Sequence, residues 1–318
     1  MKKRAVVLLN MGGPNSLDEV QLFLHNMFND PNIITTKSPI LRRLIASMIV
    51  TFRTKKAQAN YARLGGKSPL VGHTQKLVDK LQKALPDRYI TFAMRYTPPF
   101  CEGVIQELKA QGIQDVVLLP LYPHYSTTTT KSSLEDFDAI ATTCGYHPKL
   151  TKIERFYDNT TYNHVLVQTI KEALCDNDSS TIDLIFSAHS LPQKIVDKGD
   201  PYQHEIHSHV TLLKELLLKE GVVFRHIHLA YQSKLGPIKW LEPSLENTLK
   251  SLENKNALIV PLSFSLDNSE TEFELSMEYQ ELAHTLGFER YLVAKCPNDK
   301  DDFVACLKAL VLDVSGWR

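Results

Sequence analysis

Short apolar runs alternate with amphipathic stretches along this chain. The runs are AVVLLN (5–10), ITFAMRY (90–96), DVVLLPL (115–121), DLIFSA (183–188), HIHLAY (226–231), ALIVPLSF (257–264) and YLVAKC (291–296). They are apolar at successive rather than alternate positions, which predicts strands buried on both faces. Between them, residues 72–85, 99–111, 131–143, 161–175, 203–220 and 270–286 carry apolar residues at helical spacing. Strands separated by helices in this way predict an α/β protein built on parallel sheets.

The runs also fall into two sets of three. VVLLNMGGP, FAMRYTPP and LLPLYPHYSTTTT form the first; LIFSAHSLP, IHLAYQSKLGP and IVPLSFSLDNSET form the second. Tyr96 then corresponds to Tyr231 and Pro120 to Pro261, each pair followed by a polar loop. This predicts two like-folded domains, 1–147 and 148–318, with the last helix packing back on the first. Ligands of open α/β sheets bind beyond the carboxyl ends of the strands. Asn10, Arg95, Tyr122, His189, Tyr231 and Asn268 are therefore expected to face one cleft between the domains.

Composition narrows the field. Lys+Arg and Asp+Glu stand at 36 each in 318 residues, leaving no basic excess to neutralise a nucleic acid. The five cysteines are far apart and show no CxxC spacing, which argues for reduced thiols and against a zinc or disulfide framework. The apolar run in MKKRAVVLLNMGGP spans only Ala5 to Leu9, too short for a signal peptide, and no run approaches membrane-spanning length. The expectation is a cytoplasmic protein, at most peripheral to a membrane.

Three stretches carry candidate chemistry. LIFSAHSLP ends a buried strand on His189, between Ser187 and Ser190. No GxSxG elbow exposes either hydroxyl, so the imidazole, as a ligand or proton acceptor, is the better candidate. In SLDNSETEFELSMEYQELAHTLGF, Ser269 is a candidate N-cap and Glu270, Glu274, Glu278 and Glu281 share one helical stripe. Such a stripe is ordinarily a solvated face; here it has almost no cationic partners and begins at a strand's carboxyl end, where carboxylates pass cations or protons. In 38–70, Ser38 and Pro39 open a helix whose Ile40, Leu41, Leu44, Ile45, Met48 and Ile49 repeat at helical spacing. That pattern is usually core; following the first strand so closely, it also suits a pocket wall or a membrane surface. Arg53 and Arg63 lie nearby, able to hold ligand carboxylates. HEIHSH (204–209) has no third ligand at a metal-site spacing and reads as exposed surface.

With these residues marked, the sequence resembles the ferrochelatases. The resemblance rests on LLNMGGP (8–14), YARLGGKSP (61–69), MRYTPP (94–99), YPHYSTTTT (122–130), FSAHSLP with GDPY, YQSKLGP with WLEP, and SETEFELSMEY (269–279). It implies the class II chelatase fold, two Rossmann-like domains with the active-site cleft between them, and Fe²⁺ insertion into protoporphyrin IX. By the same resemblance, His189 and Glu270 would be catalytic, and both, with Glu274 and Glu278, would handle the metal. Met11, Arg53, Tyr61, Ser68, Arg95, Tyr96, Tyr122, Ser126 and Tyr231 would bind the porphyrin, and residues 38–52 would form a pocket lip able to face a membrane. Partners would be porphyrin and ferrous iron, with the chain a monomer or weak dimer. Asn268 stands where many relatives have histidine, and Tyr231 where many have tryptophan. The tail lacks the cysteine group that holds an iron–sulfur cluster in some relatives, so neither a cluster nor any other prosthetic group is expected. Other readings are a coproporphyrin ferrochelatase, a cobalt or nickel chelatase of the same fold, a non-catalytic haem carrier, and a hydrolase using Ser187 or Ser190.

Overall fold

The computed structural model describes residues 3–234 and 236–316. Leu235 of the YQSKLGP block and the outermost residues of both termini lie outside them. The chain divides into two units, Met1–Arg155 with Asp299–Arg318, and Phe156–Asn298.

The first unit runs β1 (Arg4–Asn10), α1 (Val20–Phe28), α2 (Pro39–Arg63), α3 (Leu70–Ala84), β2 (Tyr89–Met94), α4 (Cys101–Ala110), β3 (Asp115–Pro120), α5 (Ser132–Thr143) and β4 (Lys149–Lys152). The strands form one parallel sheet in the order β2-β1-β3-β4. Ala5, Val7 and Leu9 of β1 pack with Val104, Ile105 and Leu108 of α4 and Leu134 and Phe137 of α5. Val6 and Leu8, pointing the other way, are equally buried. Each such side chain contributes about 1.5–3 kcal/mol of burial. β4, KLTK, has no apolar run to announce it, and the sequence pattern misses it.

Ser38 caps α2, its Oγ accepting the Leu41 N–H at 3.3 Å, with Pro39 in the first helical position. The helix continues well past residue 52, to Arg63. Its predicted apolar stripe is mostly not core. Ile40, Leu41, Leu44 and Met48 are 72%, 48%, 64% and 56% exposed, Ile45 and Ile49 are partly buried, with Ile49 against the cluster of Phe23 and Tyr96, and the buried residues of the helix are Ala46, Val50 and Tyr61.

The second unit runs α6 (Thr160–Leu174), β5 (Asp183–His189), α7 (Gln193–Val196), α8 (Tyr202–Lys219), β6 (His226–Gln232), α9 (Leu245–Ser251), β7 (Asn256–Pro261), α10 (Tyr279–Thr285) and β8 (Arg290–Val293). Its sheet is again parallel, in the equivalent order β6-β5-β7-β8. Ile185, Ala257 and Ile259 pack with Leu245 and Leu249 of α9 and Ala283 of α10. The chain then returns to the first unit as α11 (Asp301–Ser315), which packs on α3; Lys80 meets Asp299 at 3.3 Å and Asp301 at 2.9 Å.

The expected α-helix over 270–286 is corrected at its start. Residues Glu270–Glu278 form a π-helix, with Tyr279 N–H reaching Glu274 O and Ser276 Oγ reaching Thr271 O at 2.7 Å. Its cap is also corrected. Ser269 makes no side-chain cap bond; Asn268 Oδ1 accepts the Glu270 N–H at 2.7 Å, and Thr271 Oγ1 accepts the Asn268 N–H at 3.0 Å. A shorter π-helical turn, Thr127–Lys131, follows β3 in the first unit, closed by Lys131 N–H to Ser126 O at 3.1 Å. Each unit therefore widens its helical coil directly after the corresponding strand, a geometry frequent at functional sites.

Candidate active site

His189 is the last residue of β5, Gln232 the last of β6, and Glu270 opens the π-helix after β7. Parallel strands deliver all three to one end of the second sheet. His189 is held from behind: its N–H donates to Ser263 Oγ at 3.0 Å, and its carbonyl accepts from Tyr202 Oη at 2.9 Å. Its Nδ1 lies 2.7 Å from Glu270 Oε2. With Nδ1–H donated there, Nε2 keeps the lone pair of the neutral ring.

Glu270 Oε2 also accepts from Ser233 Oγ at 2.8 Å and Gln232 Nε2 at 3.5 Å. Ser187 donates to Gln232 Oε1 at 2.6 Å, which turns the amide nitrogen toward Glu270. Three donors thus converge on one carboxylate oxygen and leave Oε1 uncommitted. Ser233, at φ 66°, also gives its N–H to Glu274 Oε1 at 2.8 Å and touches Glu274 Oε2 with its hydroxyl. One hydroxyl has one proton to donate, so the two contacts share it in a three-centre bond or draw on a proton held by one carboxyl.

The electrostatics rank the two carboxyls. Burial disfavours a charged His189, but the Glu270 carboxylate, the bond to it and the charge of Glu274 outweigh burial and hold the imidazole above its ordinary value. Burial would raise Glu270, yet His189 and the bonds from His189, Ser233 and Gln232 bring it below the usual carboxylate range. Glu274 is pushed up to about 7 by burial and by Glu270, against the Ser233 bonds. Of the two carboxyls, Glu274 is the more readily protonated.

The remaining predicted residues of this unit divide. Glu278 is exposed on the last turn of the π-helix. Tyr231 is fully buried on β6, and burial pushes its phenol up to about 12. Ser187 and Ser190 are both fully buried; Ser190 Oγ donates to Leu241 O at 3.4 Å. His204 and His207 are exposed, whereas His209 turns inward, accepts no solvent, and contacts Asn163 Oδ1 at 2.8 Å, with burial pushing it down to about 3.

In the first unit, Met11 packs against a cluster that includes Phe23, Tyr61 and Tyr96. Tyr96 Oη donates to Asp30 Oδ2 at 2.8 Å. Arg95 is fully occupied: it meets Asp30 at 3.2 Å and Asp136 at 3.2 Å, and donates to Ser132 Oγ at 3.1 Å. Ser68 is buried, its Oγ accepting the Leu70 N–H at the start of α3. A Cβ at Gly13 would lie 2.5 Å from that Oγ, which is why the NMGGP turn needs glycine there. Ser126 caps its π-turn through Thr128 N–H, and Tyr122 Oη lies 3.3 Å from Ser133 Oγ. Arg53 is the exception. It is half-buried, burial lowers its pKa, and among the described residues it has no ion-pair or hydrogen-bond partner for its guanidinium.

Sequence reasoning overlooked Asp30, Ser132 and Asp136 around Arg95, and Gln232 and Ser233 beside Glu270. The second pair had a readable signal, since QS follows a buried strand directly at its carboxyl end.

The ferrochelatase family model matches residues 3–314. The chain is 54% identical over 304 residues to a ferrochelatase of Nitratiruptor sp., covering 96% of this chain and 97% of that one. It is 52% identical over 308 residues to a ferrochelatase of Sulfurimonas denitrificans, covering 96% and 98%. The chain belongs to the ferrochelatase family. Among solved structures, SirB from Bacillus subtilis with Fe³⁺ is similar at a TM-score of 0.57 and 10% identity, covering 98% of this chain and 96% of that one. CbiX, described as the terminal enzyme for siroheme biosynthesis in denitrifying bacteria, is similar at 0.52 and 13%, covering 77% and 93%. At such identities these likenesses speak to the fold alone, the class II chelatase fold. Within this ferrochelatase-family chain, His189, Glu270 and Glu274 form one bonded group, while Arg95, Ser68 and Ser126 spend their polar atoms on the protein itself.

Proposed function

We propose that the protein is a lyase that inserts Fe²⁺ into protoporphyrin IX, releasing protoheme and two protons, in haem biosynthesis. Besides family membership, the observation that carries this reading is the His189–Glu270 contact at 2.7 Å, with Glu274 tied to it through Ser233. Metal insertion exchanges two pyrrole N–H protons for one dication, so the site must accept protons and attract a cation together. His189, whose pKa is raised, takes protons at Nε2. Glu270, held ionised, supplies the compensating charge and offers Oε1 to the incoming metal, and Glu274 and Glu278 lie along its approach.

Met11, Tyr96, Tyr122 and Tyr231 would line the porphyrin pocket, with Tyr61, Ser68 and Ser126 shaping it. Arg53 is suited to meet a porphyrin carboxylate because its guanidinium has no partner among the described residues; Arg95 would act by holding Asp30 and Asp136 rather than by touching ligand. Iron enters as substrate, and no step of this reading uses a prosthetic group. No helix among the described residues is long and apolar enough to cross a membrane. The exposed apolar residues of α2 would instead rest on a lipid surface.

Anaerobic Fe²⁺ insertion, or aerobic Zn²⁺ insertion, into protoporphyrin and coproporphyrin tests the reading. His189→Ala and Glu270→Gln are each expected to slow insertion by about 10²-fold or more. In the parent, the rate should climb as pH rises through the raised His189 pKa, because an imidazolium accepts no proton. Removing the Glu270 charge should move that limb to lower pH. Porphyrin binding without insertion in the parent would leave only the carrier reading standing.

A further inference from the structure

β5 outruns one of its neighbours. Its pairing with β7 ends at Ser187 opposite Pro261, and the Ser187 carbonyl takes the last bond on that side, from Leu262 N–H at 2.8 Å. On the other side β5 stays paired with β6 as far as His189 opposite Gln232. Peptide groups two residues apart on a strand face the same way. The N–H and carbonyl of His189 therefore point, like those of Ser187, to the side where β7 has already ended. Main-chain polar groups shielded from water need partners.

Two hydroxyls stand in for the missing strand, and with the His189 peptide groups they close a ring. His189 N–H donates to Ser263 Oγ at 3.0 Å, Ser263 Oγ lies 2.7 Å from Tyr202 Oη, and Tyr202 Oη donates to the His189 carbonyl at 2.9 Å. A carbonyl only accepts, so the phenol proton is committed to it and Ser263 donates to Tyr202. Each member then gives one proton and takes one. Burial holds the phenol well above its ordinary value, which keeps that proton on Tyr202. Tyr202 is itself buried and fixed in the first turn of α8, its N–H donating to Asp200 Oδ1 at 3.0 Å. The GDPY block is thereby joined to the histidine of FSAHSLP.

We propose that Tyr202 and Ser263 are positioning residues for metal insertion, holding the main chain of His189 so that Nδ1 keeps its 2.7 Å contact with Glu270. This rests on the metal-insertion reading of the site. Both hydroxyls bond the backbone of His189, so they act through it. A misplacement of about 1 Å costs a reacting group about 10²-fold in rate. Opening the ring should therefore lower kcat and spare KM.

Zn²⁺ insertion into protoporphyrin is measured for the parent, Tyr202→Phe, Ser263→Ala and the double variant, each checked to be folded by thermal unfolding. Each single variant should lose about tenfold or more in kcat, with both KM values within about twofold of the parent. The double variant should be no slower than the worse single, because either change opens the ring. A second measurement needs no turnover. Nitrogen-15 spectra of the histidine-labelled chain in alkaline buffer, with the His189 signals assigned through His189→Ala, should show only the Nδ1–H form of the neutral ring in the parent. Both tautomers should appear in the variants. A parent that inserts no metal would sink the lyase reading, and the imidazole signals would then decide this one. Mixed tautomers in the parent, folded variants with parental kcat or an unchanged tautomer, losses confined to KM, or single effects that multiply in the double variant would overturn the proposal.

Discussion

Ser233 shows how much a single side chain contributes here. It sits at φ 66°, where a side chain costs about 1–2 kcal/mol that glycine avoids. The tolerated strain places one N–H and one hydroxyl between two glutamates. Ser233→Gly removes the hydroxyl and relieves the backbone; Ser233→Ala removes the hydroxyl and keeps the strain. In denaturant titrations the glycine variant should be the more stable by about 1 kcal/mol. Both should raise the KM for metal similarly, and a normal KM in either would mean the bridge is ornamental. Glu274 gives a second test. Its folded pKa, about 7, lies above the unfolded carboxyl value, so the proton favours the folded state at low pH. That contribution is complete below the unfolded value and is lost as pH rises through 7. The parent should therefore lose, on the order of 2 kcal/mol, stability relative to Glu274→Gln between pH 5 and pH 8. A constant difference across that range would refute the assignment.

At the scale of elements, legibility followed apolar pattern. Seven strands announced themselves as apolar runs; β1, β2, β3, β5 and β7 are buried along most of their length, whereas β6 and β8 are only partly so. β4 did not, since KLTK has a single aliphatic residue between lysines and a threonine. The stripe on α2 had the right period, and the sequence left open whether it met core, a pocket or a membrane surface: spacing reports which residues share a face, and says nothing of what that face meets. Likewise the glutamate stripe assumed a 3.6-residue turn, whereas the first nine residues coil more widely. His189, Glu270 and Glu274 could be read from strand ends and spacing. The Asp30–Arg95–Asp136 network could not, because its three charges lie far apart in sequence and meet only through the fold. Asn268, which replaces Ser269 as the cap, carries a measurable share. Asn268→Ala should cost about 1 kcal/mol by denaturant titration, with hydrogen-exchange protection lost first over residues 270–278.

At the scale of the whole molecule, the doubled architecture was visible in the repeat of Tyr96 with Tyr231 and Pro120 with Pro261. The unit boundaries were harder to read. The predicted boundary at 147 gives residues 299–315 to the second domain by position, with their helix packing back on the first, where it lies against α3. Truncation after Asn298 should therefore deprotect α3 and β2 in hydrogen exchange while leaving β5 to β8 protected. Loss of protection across the second sheet instead would contradict that division.

The return of α11 has a consequence for birth as well as for stability. Domains usually fold in the order in which they emerge from the ribosome. Here the unit that begins first is finished last, because Phe303, Leu307 and Val311 of its closing helix, all buried, leave the tunnel only after the entire second unit has been made. During that interval the nascent first unit waits with α3 lacking its cover. The second unit, although later in sequence, is the first whose elements are all available to fold.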